Sequence, residues 1–138
     1  MKIRILSHPL LIVPGVLAAV LLLGAADLLG AADGSWLNKV PDADRARVNP
    51  MASHPDAVAA GAKLYRNNCA QCHGRDGTGR GNRPSLRSPR IIASTDGELA
   101  WLLRNGSPWK GMPSWANLPE PQRWQIIAYL RTLQPAAP

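Results

Sequence analysis

DAVAAGAKLYRNNCAQCH, residues 56–73, joins a helical pattern to a pair of cysteines in one run. Val58, Gly61, Ala62 and Tyr65 fall at i, i+3, i+4 and i+7, which predicts one face of a helix over about Asp56 to Asn67. A glycine in mid-helix costs roughly 1 kcal/mol against alanine. A helix that carries Gly61 despite this cost predicts the close approach of another backbone there. Cys69-Ala70-Gln71-Cys72-His73 follows the helix at once, in the order C-x-x-C-H.

C-x-x-C-H is the pattern of covalent haem attachment. Two thiols separated by two residues reach the two vinyl groups on neighbouring edges of one porphyrin, and His73 then lies beneath the iron. Three other uses of the cysteines fit less well. A Cys69–Cys72 disulfide closes a very short loop and is a poor staple. A thioredoxin-like redox pair needs a βαβ setting, and no strand pattern is present. A zinc site needs four ligands, and with His8 near the N-terminus only His54 remains as a further histidine. Haem attachment is the reading the motif supports best, and it supplies the bound group that a small Gly- and Pro-rich domain needs for stability.

Outward from the motif, two more helices are predicted. One runs from about Asp96 to Asn105, with Thr95 and Glu98 spaced as a capping box, Leu99, Leu102 and Leu103 as the buried stripe, and Gly106 as the C-terminal cap. The other runs from about Glu120 to Leu133, with Pro119 and Pro121 at its start and Pro135 beyond its end. Ile126, Tyr129, Leu130 and Leu133 share a face. The chain has no Phe, two Tyr and five Trp, and all five tryptophans read best as packing residues. The fold class is all-α: three main helices and connecting loops around one haem, preceded by an N-terminal hydrophobic helix.

Lys2 and Arg4 precede the apolar run Leu10 to Leu23, with small residues at Gly24-Ala25-Ala26 and Gly30-Ala31-Ala32. Residues 1–32 therefore read as a signal peptide or an N-terminal membrane anchor. As a helix, the 21 residues 9–29 reach ~31 Å, enough for a bilayer core. Either way the basic N-terminus favours the cytoplasmic side, so the rest of the chain is expected in the periplasm or another extracytoplasmic space, soluble after cleavage or tethered to the inner membrane. Residues 33–55, with Gly34, Pro41, Pro50, Pro55 and alternating charges at Asp42, Asp44, Arg45 and Arg47, read as a linker whose start is a short helical extension. Residues 56–134 form the haem domain and 135–138 a tail. The net charge of +7 is consistent with an anionic membrane surface or an acidic protein partner. Nothing resembles a nucleic-acid module, so a nucleic-acid partner is not expected.

Residues 56–134 resemble class I monohaem cytochrome c. The likeness lies in Gly61 and Tyr65 just ahead of the haem motif, and in Ile126-Ile127-Ala128-Tyr129-Leu130, close to that family's terminal-helix signature. The resemblance implies that the first and last helices cross at the glycine and the aromatics. It implies haem c, one per chain, with His73 as one axial ligand to iron and Met112, in Gly111-Met112-Pro113, as the other. Met51 and His54 are the rival sixth ligands. It also implies that the carbonyl of Pro84 accepts from the ring of His73. One departure is visible: residues 74–95 contain no lysine, so the partner surface cannot be copied from relatives that dock through lysines. Arg75, Arg80, Arg83, Arg87 and Arg90 crowd this loop and suit haem propionates or a positive rim facing an acidic partner. The expected function is one-electron transfer rather than catalysis. The alternative is the cytochrome subunit of a membrane-associated dehydrogenase or oxidase complex.

Overall fold

A computed structural model describes residues 34–134. The N-terminal signal or anchor and the tail 135–138 lie outside the described residues. The three expected helices are present: α1 (Ala57–Asn68), α2 (Asp96–Asn105) and α3 (Glu120–Thr132). Between and before them lie short turns, and among the described residues there is no β-strand beyond one isolated bridge, Ser107 with Met112. No helix among these residues is long and apolar enough to cross a membrane.

α1 and α3 cross, and their contact is the centre of the core. Gly61 makes the crossing: a Cβ built there would meet the Gln125 carbonyl oxygen at 1.9 Å. This close approach is the reason for a glycine at that position. One turn along, the Tyr65 and Tyr129 rings lie 5.2 Å apart, tilted by 52°. The buried face of α1 is Ala57, Gly61 and Tyr65, not the face that starts at Val58, which is 39% exposed. A contact this close selects small side chains, so the most apolar residue of the first turn lies off it. α3 buries Trp124, Ile126, Ile127, Ala128 and Leu130, more than one face, because α1 and α2 both pack against it.

α2 is bounded as its sequence predicts. Thr95 Oγ1 accepts from the Glu98 amide at 3.1 Å, and Glu98 Oε2 accepts from the Thr95 amide at 2.7 Å. Gly106 caps the other end. From the end of α3, Arg131 donates to Asp96 at 2.8 Å and to the carbonyls of Ser94 at 2.6 Å and Ile91 at 3.2 Å. This fan ties the last helix to the start of α2 and to the short helix Pro89–Ala93.

Residues 34–55 differ from the expected spacer: they fold onto the helices. Ser35–Lys39 and Asp42–Arg45 form short helical turns, and Val40 and Asn49 are buried. Gly97 admits them. A Cβ there would meet the Asp44 carbonyl oxygen at 2.0 Å. Arg45 pairs with the buried Glu98, Arg47 pairs with Glu120 and lies over the Trp124 ring, and Asn49 donates to the Trp124 carbonyl at 3.1 Å. The charges that suggested a solvated linker are the charges that hold it down. The prolines break long helices, but they do not prevent packing.

Candidate functional site

Cys69 caps the C-terminus of α1, and Ala70–His73 make one further helical turn. The turn therefore inherits its position from the α1–α3 crossing. Cys69 is buried and Cys72 exposed, and neither is in a disulfide. Burial pushes the Cys69 thiol up to about 12, with Cys72 adding to the shift. Tyr65, four residues before Cys69, donates its hydroxyl to the Gly74 carbonyl at 2.7 Å. This bond holds the chain just after the motif against the core. Burial raises the Tyr65 phenol well above its ordinary value, so the hydroxyl stays a donor.

His73 is half-buried, and its Nδ1 lies 3.0 Å from the Pro84 carbonyl oxygen. A carbonyl oxygen only accepts, so the proton sits on Nδ1 and the lone pair is left on Nε2. A neutral imidazole held this way is the form that ligates a metal, with its ring orientation fixed from behind. The turn from Gly74 to Leu86 that brings Pro84 there is closed by backbone bonds, Gly79 to His73 at 2.9 Å and Leu86 to Gly77 at 2.8 Å.

Met112 lies between α2 and α3, half-buried against the core. Its amide donates to the Ser107 carbonyl at 3.1 Å, and its carbonyl accepts from Ser107 at 2.9 Å. Trp115 donates its amide to the Leu103 carbonyl at 2.9 Å and closes the loop onto α2. Of the rivals, His54 is exposed, and Met51 packs against the core beside Asn49. Among the described residues no three His, Cys, Asp or Glu side chains gather to hold a metal ion.

The five loop arginines do not form one rim. Arg83 donates to the carbonyls of Lys110 and Gly111, each at 3.1 Å. Arg87 donates to the Leu133 carbonyl at 2.6 Å. Arg90 lies against Gly34. Arg75 and Arg80 remain beside the motif, where with Arg66 and Gln71 they line a shallow cleft. The single acid of that stretch, Asp76, accepts from the Thr78 hydroxyl and amide, which hold its carboxyl below the usual range. Sequence pattern missed Arg66, which belongs to this cleft, and the inward turn of Arg83. Trp109, expected to pack, is 93% exposed.

Two helices crossed at a glycine, over a C-x-x-C-H turn whose histidine is held by a proline carbonyl, define a monohaem c-type cytochrome. Residues 56–130, more than half of the chain, match the family described as cytochrome c oxidase, cbb3-type, subunit III. The chain belongs to this family. It is 34% identical over 88 residues to cytochrome c550 of Pseudomonas aeruginosa, covering 61% of each chain. Over 36 residues it is 50% identical to the Cbb3-type cytochrome c oxidase subunit CcoP of Rubrivivax gelatinosus, covering 26% of this chain and 12% of that one. Such a domain carries covalently bound haem c and its iron. The donor set fits the group: two thiols without a disulfide and an imidazole whose Nδ1 faces the Pro84 carbonyl, which leaves Nε2 as the nitrogen for a metal.

Proposed function

We propose that the chain is a one-electron carrier of an extracytoplasmic electron-transfer chain, with Cys69 and Cys72 as the covalent haem attachments and His73 and Met112 as the axial ligands. The observation that carries this reading is the Nδ1–H bond from His73 to Pro84, which prepares Nε2 as a ligand. Bound haem supplies a one-electron couple at its iron. The residues supply the rest. Cys69 and Cys72 would hold the haem covalently through their sulfurs. Pro84 fixes the ring of His73. The Ser107–Met112 bridge and the Trp115 amide fix the backbone that presents the thioether. His73 and Met112 would together hold the iron, and a His/Met pair suits electron transfer.

The test uses the full chain produced in a host able to attach haem. Colour should survive acid-acetone extraction and a denaturing gel, and the reduced protein should not bind carbon monoxide. A colourless product with two free thiols overturns the reading. Rapid carbon monoxide binding points to a sensor or enzyme instead. Arg66, Arg75 and Arg80 give the motif side of the domain a positive cleft, so an acidic redox partner is favoured. Transfer to that partner should slow as salt rises.

A second reading has its own support in the family description and in the stretch shared with subunit CcoP. In it the chain is the cytochrome subunit of a membrane-associated dehydrogenase or oxidase complex, with residues 9–29 as its anchor. Extraction of native membranes with mild detergent separates the two. A free carrier migrates near its own mass, and a subunit migrates with its complex.

A further inference from the structure

Arg83 stands immediately before Pro84, the residue whose carbonyl receives the His73 ring. Its side chain is half-exposed and reaches across to the loop that carries Met112. One nitrogen, Nη1, donates to both the Lys110 and Gly111 carbonyls at 3.1 Å, and these are the two residues just before Met112. The guanidinium lies so close over Gly111 that a Cβ there would meet Nη1 at 2.6 Å. An unbroken chain of bonds thus runs from the His73 ring through Pro84 and Arg83 to the backbone of Met112. We infer that Arg83 is a positioning residue, a clasp that ties the loop bearing the methionine to the loop that orients the histidine. The inference rests on His73 and Met112 as the axial pair.

The chemistry favours arginine for this place. A guanidinium is charged at every relevant pH, and bonds from a charged donor to carbonyls are stronger than neutral ones. Both accepting carbonyls sit on the short turn Pro108–Lys110 and its cap, a segment that contributes no buried residue of its own. The Lys110, Gly111 and Met112 amides are all bonded within this loop, to Ser107, Pro108 and Ser107. Their exchange with solvent therefore reports how often the loop opens. An open loop withdraws Met112 and admits an outside ligand. Arg83 acts on that opening without touching the metal.

The experiment compares haem-loaded full-length wild type, R83A and R83K. Two measurements decide: hydrogen exchange at the Lys110, Gly111 and Met112 amides, and the rate at which imidazole binds the oxidised protein. In R83A both should rise roughly five- to tenfold, the scale of one ordinary hydrogen bond, as suits bonds at an exposed site, while amides at the α1–α3 crossing stay at the wild-type rate. R83K keeps the charge but loses the fork, and should fall between. Unchanged exchange and unchanged imidazole binding in R83A overturn the clasp. Faster exchange everywhere, crossing included, also overturns it, since the effect is then general destabilisation. A shifted reduction potential with an undisturbed loop overturns it in favour of a propionate partner. If the wild-type protein lacks the far-red methionine-to-iron band, the ligand reading of Met112 fails, and the exchange comparison still decides the clasp.

Discussion

At Gly61 two helix backbones touch with no room for a methyl group, and the tyrosine rings close over the contact. At Met112, on the other side of α2, the chain is held by a two-bond bridge, one amide to α2 and one arginine. No helix in the flanking segments 74–95 and 106–118 exceeds five residues. The crossing is stabilised by burial spread over many atoms, which no single bond dominates. The loops are placed by individual bonds, each of which matters. A change at the crossing should therefore cost stability and spare ligation, and a change in the loops should do the reverse.

The largest effects belong to the motif. C69A/C72A should lose all haem on acid-acetone extraction, and H73A should lose the normal visible spectrum. Colour retained by the double variant after extraction would break the site reading outright. Next, M112A should lose the far-red band and bind carbon monoxide when reduced, with only a small shift of the urea midpoint. A large loss of stability there would erase the distinction between frame and loop. Third, G61A forces the helices apart and should cost on the order of 3 kcal/mol in urea unfolding, with the far-red band kept by the molecules that remain folded. A cost below ~1 kcal/mol would mean the crossing yields as easily as a loop.

Smaller effects sharpen the boundary between the regions. Y65F leaves the Gly74 carbonyl without its donor and should cost about 1–2 kcal/mol. Because this bond joins core to motif, the same variant should also raise exchange at the amides after His73. The smallest effect is at Glu120, whose carboxyl is held below its ordinary range first by the bond from Arg47. A depressed folded pKa stabilises above the unfolded value and is lost as pH falls through the folded one. For this exposed pair the difference between wild type and E120Q should be at most ~0.5 kcal/mol at neutral pH and should be lost as pH falls below the ordinary glutamate range and through the depressed folded value. An undiminished difference at low pH would mean the pair acts by packing on Trp124 rather than by charge.

Much of the frame was legible in the sequence because its signals are local. Thr95, Glu98 and Gly106 bound α2 within a span of twelve residues, and the C-x-x-C-H turn is read from five consecutive letters. Gly61 pointed to a crossing because its helix cost needs a reason. The face of α1 was legible at Gly61 and Tyr65 but not at its start, since hydrophobicity rewards Val58 and the crossing buries Ala57 instead. Residues 34–55 escaped for a different reason. Arg45 meets Glu98 and Arg47 meets Glu120 across more than fifty residues, and no periodicity marks such pairs. The same holds for Arg83: five arginines in one loop look alike until the fold decides which of them turns inward.

The crossing has a consequence for the order in which the molecule is made. Gly61 lies near the start of the domain and Gln125 near its end, so the contact between them closes most of the domain into one loop. Loop closure of this span is slow and must precede the burial that rewards it. A growing polypeptide that has not yet reached Glu120 has nothing to lay against Gly61 and Tyr65. The segment from Cys69 to His73 therefore lacks its finished walls until the last helix has docked.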